Sequence, residues 1–103
     1  MKKSQVIWTA EAIHDLEIIY DFLAANSPTA AQRICENLLN RAQQIETFPE
    51  SGAPQVGLQK ADKVHRYLVE GNYKIIYSFQ SKLGVVYIHT IFDSRLNPEK
   101  LKI

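Results

Sequence analysis

The chain has 103 residues, enough for one domain with a single core and too few for two. Its composition is that of an ordinary globular protein, and its net charge of +1 is low for a protein that binds nucleic acid through many phosphate contacts. The single cysteine, Cys35, excludes an internal disulfide, and no apolar run approaches the ~20 residues of a membrane helix. We therefore expect one cytoplasmic domain over residues 1–103 that does not enter a membrane.

The charge is divided unevenly along the chain. Residues 1–59 contain four basic and seven acidic side chains, whereas residues 60–103 contain eight basic and four acidic ones. A positive surface on the second half would suit an acidic partner or a phosphate backbone. An ordinary solvated surface explains the same pattern equally well.

The first half of the chain predicts a short strand and two amphipathic helices. Residues 5–9 have strand character, and Thr9 is well placed to cap the helix that follows. Helical spacing assigns to the buried stripe of that helix Ala12, Ile13, Leu16, Ile19, Tyr20 and Leu23, and to the solvent side His14, Asp15, Glu17 and Asp21. Ser27 and Pro28 end the first helix and begin the second, whose stripe is Ala31, Ile34, Cys35, Leu38, Ala42 and Ile45. The short connection predicts an antiparallel helical hairpin.

The second half predicts a loop followed by a three-stranded meander. The loop covers residues 48–63, where repeated proline and glycine oppose regular structure. The strands cover residues 64–70, 73–80 and 85–92, which are rich in β-branched and aromatic side chains and are separated by hairpin turns. Because the helical stripes need a sheet to cover them, we expect a two-layer α+β domain.

Strict alternation assigns the strand side chains to two faces of the sheet. In the middle strand one face carries Tyr73, Ile75, Tyr77 and Phe79. In the last strand one face carries Val85, Tyr87, His89 and Ile91, and the other carries Val86, Ile88, Thr90 and Phe92. Both faces are fairly apolar and two helices cover only one of them. The second face is therefore predicted to be an exposed apolar groove that binds a protein partner.

Taken in order, several short motifs resemble the RelE/ParE superfamily of bacterial toxins from type II toxin-antitoxin modules. They are Trp8-Thr9 before Ala12, Asp15-Leu16 and Ile19; Ala30-Ala31; Phe48-Pro49-x-x-Gly52; Arg66; Tyr73-x-Ile75-x-Tyr77; and Ile91-Phe92-Asp93-Ser94-Arg95 with Pro98. The resemblance covers nearly the whole chain and implies a β-α-α-β-β-β fold whose first strand lies beside the last. It also implies a cognate antitoxin that wraps a helix or strand across the toxin.

That family divides between two activities. RelE-like members cleave messenger RNA in the ribosomal A site, which requires a general base, a general acid and cations around the phosphate. They are strongly basic and often carry a tyrosine or histidine near the C-terminus, whereas residues 96–103 contain neither. ParE-like members inhibit DNA gyrase through protein contacts. We therefore expect a ParE-like, growth-inhibiting plasmid-stabilisation toxin, with a ribosome-dependent endoribonuclease as the alternative and an inactive homologue as a third possibility.

Three residues are the candidates for function. If the chain is a ribonuclease, the catalytic candidates are Arg66, His89 and Arg95; if it inhibits gyrase, the target contacts are Arg66 and Arg95. Each has a structural alternative, since His89 could be a hydrogen-bonded strand residue and the arginines could bridge Asp93, Glu70 or an antitoxin carboxylate. Trp8 and Cys35 are expected in the core. We expect no cofactor and no metal site, because His65 and His89 lack a third ligand.

Overall fold

The computed structural model describes residues 3–55 and 65–95, and in these residues two helices pack on a five-stranded sheet. In chain order the elements are β1 (Gln5–Trp8), α1 (Ala10–Ala24), α2 (Pro28–Thr47), β2 (Ala53–Pro54), β3 (His65–Glu70), β4 (Tyr73–Gln80) and β5 (Val85–Asp93). The strand order is β1-β5-β4-β3-β2, with β1 parallel to β5 and the other pairs antiparallel. The predicted α+β fold is confirmed, as is the place of the first strand beside the last. Predictions for residues 56–64 and for the tail from residue 96, which includes Pro98, lie outside the described residues.

The two helices begin at the residues that the sequence predicts. The Thr9 hydroxyl oxygen accepts a hydrogen bond from the Ala12 N–H at 3.2 Å, and the Ser27 hydroxyl oxygen accepts one from the Ala30 N–H at 3.2 Å. These bonds satisfy N–H groups that the first helical turn leaves without an acceptor. Pro28 is the first residue of α2, where its fixed φ suits the helix. Within the described residues, neither helix is long and apolar enough to cross a membrane.

The main core lies between the helices and the inner face of the sheet, which is the face that meets them. Its buried members are Ala12, Leu38, Ala42, Ile45, Leu68, Ile75, Tyr77, Val86, Ile88 and Ile91. Trp8 packs against this cluster and Cys35 is buried, as predicted. Burial raises the pKa of the Cys35 thiol, which leaves less thiolate at neutral pH.

The predicted loop after α2 contains a short strand that the sequence does not reveal. β2 pairs antiparallel with β3, opposite Tyr67 and Arg66. A proline is tolerated in β2 because this strand lies at the edge of the sheet, where one side of the strand needs no N–H donor. The prediction that residues 48–63 lack regular structure is therefore wrong at these two positions.

A β-bulge at His89 breaks the alternation predicted for β5. Tyr77 pairs with Ile88, but the preceding Ile76 pairs with Thr90, so His89 is the extra residue of the bulged strand. The extra residue reverses the alternation beyond it, and Ile91 joins the inner-face core with Ile88 and Val86. The prediction that His89 and Ile91 share a face is therefore wrong.

The outer face of the sheet, which faces away from the helices, is buried near its centre. Ile76, Ser78 and His65 are only 0%, 2% and 4% exposed. On the same sheet the Lys74 ammonium lies 4.2 Å from the centre of the Tyr67 ring, a cation–π contact. The prediction of an open apolar groove on this face is wrong at these positions.

Asp15 is buried, although its charge predicts a place on the solvent side of α1. β1 ends opposite Ile88, whereas β5 continues to Asp93, so β1 leaves the last part of the β5 edge uncovered. The Asp15 carboxylate accepts hydrogen bonds there from the Ile91 N–H at 3.1 Å and the Thr90 hydroxyl at 2.5 Å. The prediction that Asp15 lies off the buried stripe is wrong because α1 uses this residue to cap the sheet edge.

The buried stripe of α1 is rotated towards Asp15 as a result. Ile13 and Tyr20, both predicted to lie in the stripe, are 49% and 41% exposed. Ala12, on the rotated stripe, is fully buried. The rotation leaves two large apolar side chains on the surface beside α2.

Candidate functional site

Arg66, a predicted target contact, points at the segment between α2 and β2. Its Nη1 donates to the carbonyl oxygen of Gly52 at 2.9 Å and lies 3.5 Å from that of Glu50. Its Nη2 lies 3.8 Å from the Glu50 carboxylate, and the Arg66 side chain is 22% exposed. A planar guanidinium can hold a carbonyl and a carboxylate at the same time. Arg66 therefore fastens this segment to β3 and pairs with Glu50 instead of the suggested Glu70.

Gly52 is held from a second side by Tyr77. The Gly52 N–H donates to the Tyr77 hydroxyl oxygen at 2.8 Å, and Tyr77 is fully buried. A Cβ at position 52 would lie 2.6 Å from that oxygen and 2.7 Å from the Tyr67 carbonyl oxygen, so only glycine fits. Burial raises the pKa of Tyr77, which keeps its hydroxyl protonated at neutral pH. The motif Phe48-Pro49-x-x-Gly52 thus has a physical reason, which its sequence alone does not disclose.

His89 lies in a small cluster on the outer face. Its Nε2 is 2.7 Å from the Ser78 hydroxyl oxygen, and Ser78 pairs across the sheet with His65. The two imidazole rings have their centres 4.9 Å apart. We call His65, Ser78 and His89 the outer-face histidine cluster. Its hydrogen bond fits the structural alternative for His89, and the described residues contain no group of three side chains placed to hold a metal ion.

Arg95 lies beyond the end of β5. Its Nη2 and Nε donate to the Asp93 carboxylate at 2.7 and 3.0 Å, and its backbone N–H donates at 2.9 Å. These contacts match the suggested pairing with Asp93, and they lower the pKa of the Asp93 carboxyl. The Arg95 side chain is still 64% exposed, so its guanidinium remains accessible to a partner.

The three candidate residues do not converge. Arg66 is in register with Tyr77, which belongs to the inner-face core, whereas His89 belongs to the outer-face cluster. Tyr77 is in register with Ile88, and Arg95 follows several residues later along the chain. At about 3.3 Å per strand residue and 4.8 Å between strands, the Arg66 and Arg95 backbones are on the order of 20 Å apart.

The Arg95–Asp93 pair gives a pH-dependent prediction. The pKa of Asp93 is lowered from its ordinary value of 3.8, so the pair stabilises the fold above that pH and loses this effect as the pH falls through the lowered value. We expect Arg95→Ala to reduce stability slightly at neutral pH, with the difference from wild type vanishing in acid. Urea denaturation across this range measures it, with Arg33→Ala as the control. A difference that persists undiminished in acid would contradict the assignment.

The arrangement of two helices on a β1-β5-β4-β3-β2 sheet is shared with solved structures of type II toxin-antitoxin systems. The family model for the ParE toxin of the type II toxin-antitoxin system, parDE, matches residues 6–98. The chain therefore belongs to the ParE toxin family.

Two solved structures share the fold. The chromosomal ParDE toxin-antitoxin system from P. aeruginosa superposes with a TM-score of 0.70 at 17% identity, covering 90% of this chain and 98% of that one. The toxin-antitoxin complex RelBE2 from Mycobacterium tuberculosis gives a TM-score of 0.62 at 19% identity, covering 88% and 98%. At these identities the likeness establishes the fold.

A curated relative matches part of the sequence. Toxin RelE2 of Caulobacter vibrioides is 41% identical over 49 residues, which are 48% of this chain and 56% of that protein. The matched segment thus spans little more than half of the relative's length. The superfamily resemblance seen in the sequence motifs is confirmed by the family match, the relative and the two structures together.

Proposed function

We propose that this chain is the toxin of a type II toxin-antitoxin module, that it inhibits DNA gyrase in the cytoplasm, and that a cognate antitoxin neutralises it. Membership of the ParE toxin family supports the module assignment. The solved relatives are themselves described as toxin-antitoxin assemblies, which supports an antitoxin partner for this chain. The observation that favours gyrase over messenger RNA is the separation of Arg66, His89 and Arg95.

Cleavage of RNA through its own 2′-hydroxyl needs a base, an acid and a cation around one phosphate, each within a few Å of the reacting atoms. In this chain the Arg66 guanidinium is engaged with Gly52 on one side of the sheet, while His89 is bonded to Ser78 on the other. An inhibitor that acts through protein contacts needs no such convergence. Arg95 is the more accessible target contact, and Arg66 contributes through the segment it holds.

A second candidate function is a RelE-like, ribosome-dependent mRNA endonuclease. The observation that favours it is the outer-face histidine cluster, where two imidazoles lie side by side. His89, the more exposed of the two, offers a group that could remove the 2′-hydroxyl proton or protonate the leaving oxygen, whereas His65 beside it is buried. In that case His89 is the first catalytic candidate.

The two functions are separated by paired assays on the purified chain. One assay measures DNA supercoiling by gyrase, and the other measures mRNA cleavage on translating ribosomes. We expect supercoiling to be inhibited while the mRNA stays intact. Codon-positioned cleavage with normal supercoiling would overturn the proposal in favour of the endonuclease. Silence in both assays would also overturn it, in favour of an inactive homologue or another target.

His89→Gln is the most informative variant for this choice. Glutamine can keep a hydrogen bond to Ser78 but cannot transfer a proton near neutral pH, so we expect gyrase inhibition to stay within about twofold of wild type. An endonuclease that used His89 would instead lose at least about tenfold in cleavage rate. His14→Gln, at an exposed position of α1, is the matched control, and thermal denaturation checks that both variants are folded.

A further inference from the structure

Two large apolar side chains are exposed where α2 ends and where β4 turns into β5. Phe48, directly after α2, is 55% exposed, and Leu83, in the β4–β5 turn, is 68% exposed. Phe79, near the end of β4, is partly buried and lines a depression with each of them. Exposed apolar side chains grouped around depressions in the surface indicate a contact with another molecule.

The two depressions adjoin and form one groove. The first is lined by Phe48, Pro49 and Glu50, the second by Lys3, Lys82 and Leu83, and both by Ser4 and Phe79. We call the combined surface the end groove. Its apolar end contains Phe48 and Pro49, and its cationic end contains the two lysines.

The apolar end is built on the segment that Arg66 and Tyr77 hold. The Arg66 guanidinium donates to the Gly52 carbonyl oxygen and lies 3.8 Å from the Glu50 carboxylate. The Tyr77 hydroxyl oxygen accepts from the Gly52 N–H. A wall that is fixed before binding spares a ligand the cost of ordering it. The anchoring of Gly52 therefore gives this end of the groove a defined shape.

The cationic end has two ammonium groups within reach of a ligand. Lys3 lies 3.8 Å from Glu46, but its side chain is 69% exposed, so this long and solvated contact holds the ammonium weakly. Lys82 is exposed and, in the part of the chain that the structure describes, forms no ion pair. At the other end Glu50 already faces Arg66. The complementary ligand is therefore apolar at one end and anionic at the other.

Two other occupants suit the end groove less well. A nucleic acid carries phosphates along its whole length, whereas the lysines line only one end and Glu50 borders the other. A second copy of the chain, related by a two-fold axis, would place the cationic end against itself or against the apolar end. The first arrangement is repulsive, and the second buries charge against apolar surface, which is costly.

We propose that the end groove binds a short extended peptide segment of a partner protein, in which large apolar side chains adjoin acidic ones. The apolar side chains would contact Phe48 and Phe79, and the carboxylates would lie near Lys3 and Lys82. The identification of this partner as gyrase rests on the proposed function. The chemistry of the segment rests on the groove alone.

Three synthetic peptides of about eight residues test the proposal, since such a length spans on the order of 26 Å when extended. The first carries phenylalanine and leucine beside three aspartates in a glycine-serine background. The second has lysine at each aspartate position, and the third has serine in place of phenylalanine and leucine. We expect the first peptide to bind at least about tenfold more tightly than either of the others at low salt.

NMR titration of the isotope-labelled chain measures this binding and locates it. The amide signals of Ser4 and Phe79, which line both halves of the groove, should shift saturably with the first peptide. Equal binding of the three peptides would overturn the proposal, as would the absence of saturable shifts at these residues.

Apolar variants test one end of the groove. Phe48→Ser should weaken binding of the first peptide about tenfold, because it removes the exposed ring of the apolar end. Phe22→Ser is the matched control, since Phe22 lies on α1 and is 71% exposed, and it should change binding by less than about twofold. Thermal denaturation checks that both variants are folded. Equal effects of the two substitutions would contradict the proposal.

Charge-reversed variants test the other end. Lys82→Glu should weaken binding of the first peptide about fivefold at low salt, because an attraction becomes a repulsion, and high salt should reduce the difference. Arg33→Glu, at an exposed position of α2, makes the same change in net charge away from the groove and should stay within about twofold of wild type. Equal effects would show that only overall charge matters, and the proposal would fail.

An oligothymidylate of about eight nucleotides tests the nucleic-acid alternative in the same titration. We expect it to bind more weakly than the first peptide, and tighter binding would overturn the proposal. These titrations use the chain alone. Peptide binding without gyrase inhibition would therefore contradict only the proposed target, and gyrase inhibition without peptide binding would contradict only the end groove.

Discussion

Gly52→Ala is expected to lower the free energy of unfolding by about 3 kcal/mol, one of the two largest effects anticipated for a single substitution. The added Cβ would lie 2.6 Å from the Tyr77 hydroxyl oxygen, 2.8 Å from Tyr77 Cε1 and 2.7 Å from the Tyr67 carbonyl oxygen. Rotation of a side chain cannot relieve the last contact, because it is made by the backbone of the paired strand. The segment must shift, and the Gly52–Tyr77 and Gly52–Arg66 hydrogen bonds are lost with it. Urea denaturation followed by circular dichroism measures the change.

A double-mutant cycle with Tyr77→Phe tests the cause. Removing the hydroxyl eliminates the shortest contact, so Gly52→Ala should be less destabilising in that background by about 1 kcal/mol. Gly71→Ala provides a comparison, since Gly71 has a φ of +59° with open space around it. Any loss of stability in that variant comes from backbone strain alone. Strict additivity of Gly52→Ala and Tyr77→Phe would rule out the steric explanation.

Gly52→Ala also tests the proposed function. If the segment that Arg66 and Tyr77 hold contributes to the target contact, Gly52→Ala should reduce gyrase inhibition at temperatures where the variant is still folded. Arg66→Ala should have a similar effect, because it removes the other anchor of the same segment. Arg95→Ala acts at a distant part of the sheet, so its effect should add to theirs.

The parts of the fold that depend on neighbouring residues could be predicted from the sequence. Thr9 and Ser27 cap the helices as expected, because a cap needs only a hydroxyl and the N–H groups of the next turn. Gly71 and Gly84, which lie in the two hairpin turns, both have positive φ, a conformation that glycine adopts readily. These features depend on local chemistry and need no tertiary contact.

The parts that depend on distant residues could not be predicted in this way. The sequence predicts that Asp15 faces solvent, because a charged side chain is costly to bury. It is buried because β1 ends before β5 does, which leaves the N–H of Ile91, far along the chain, in need of an acceptor. The bulge at His89 leaves no trace in the alternation of apolar side chains, yet it decides which residues reach the core. The candidate site has the same character, since the bonds from Arg66 to Gly52 and Glu50 appear only when β3 lies beside the segment after α2.

Asp15 gives the second large effect. Asp15→Ala would leave the Ile91 N–H and the Thr90 hydroxyl buried without this acceptor, and we expect a loss of about 3 kcal/mol in the free energy of unfolding. Asp15→Asn retains one acceptor oxygen and should lose about 1 kcal/mol. Glu17→Ala, an exposed acid on the same helix, is the matched control and should stay within about 0.5 kcal/mol of wild type.

Amide hydrogen exchange locates the effect of Asp15 within the sheet. If the carboxylate caps the edge of β5, Asp15→Ala should accelerate exchange of the Ile91 N–H beyond what the global loss of stability accounts for. Exchange at Tyr77, in the middle of the sheet, should follow the global change alone. Equal acceleration at both sites would mean that Asp15 stabilises the fold without protecting this edge. Selective acceleration at Ile91 would show why this chain places a carboxylate on the buried side of its first helix: the carboxylate accepts the hydrogen bond of a β5 edge N–H that β1 is too short to reach.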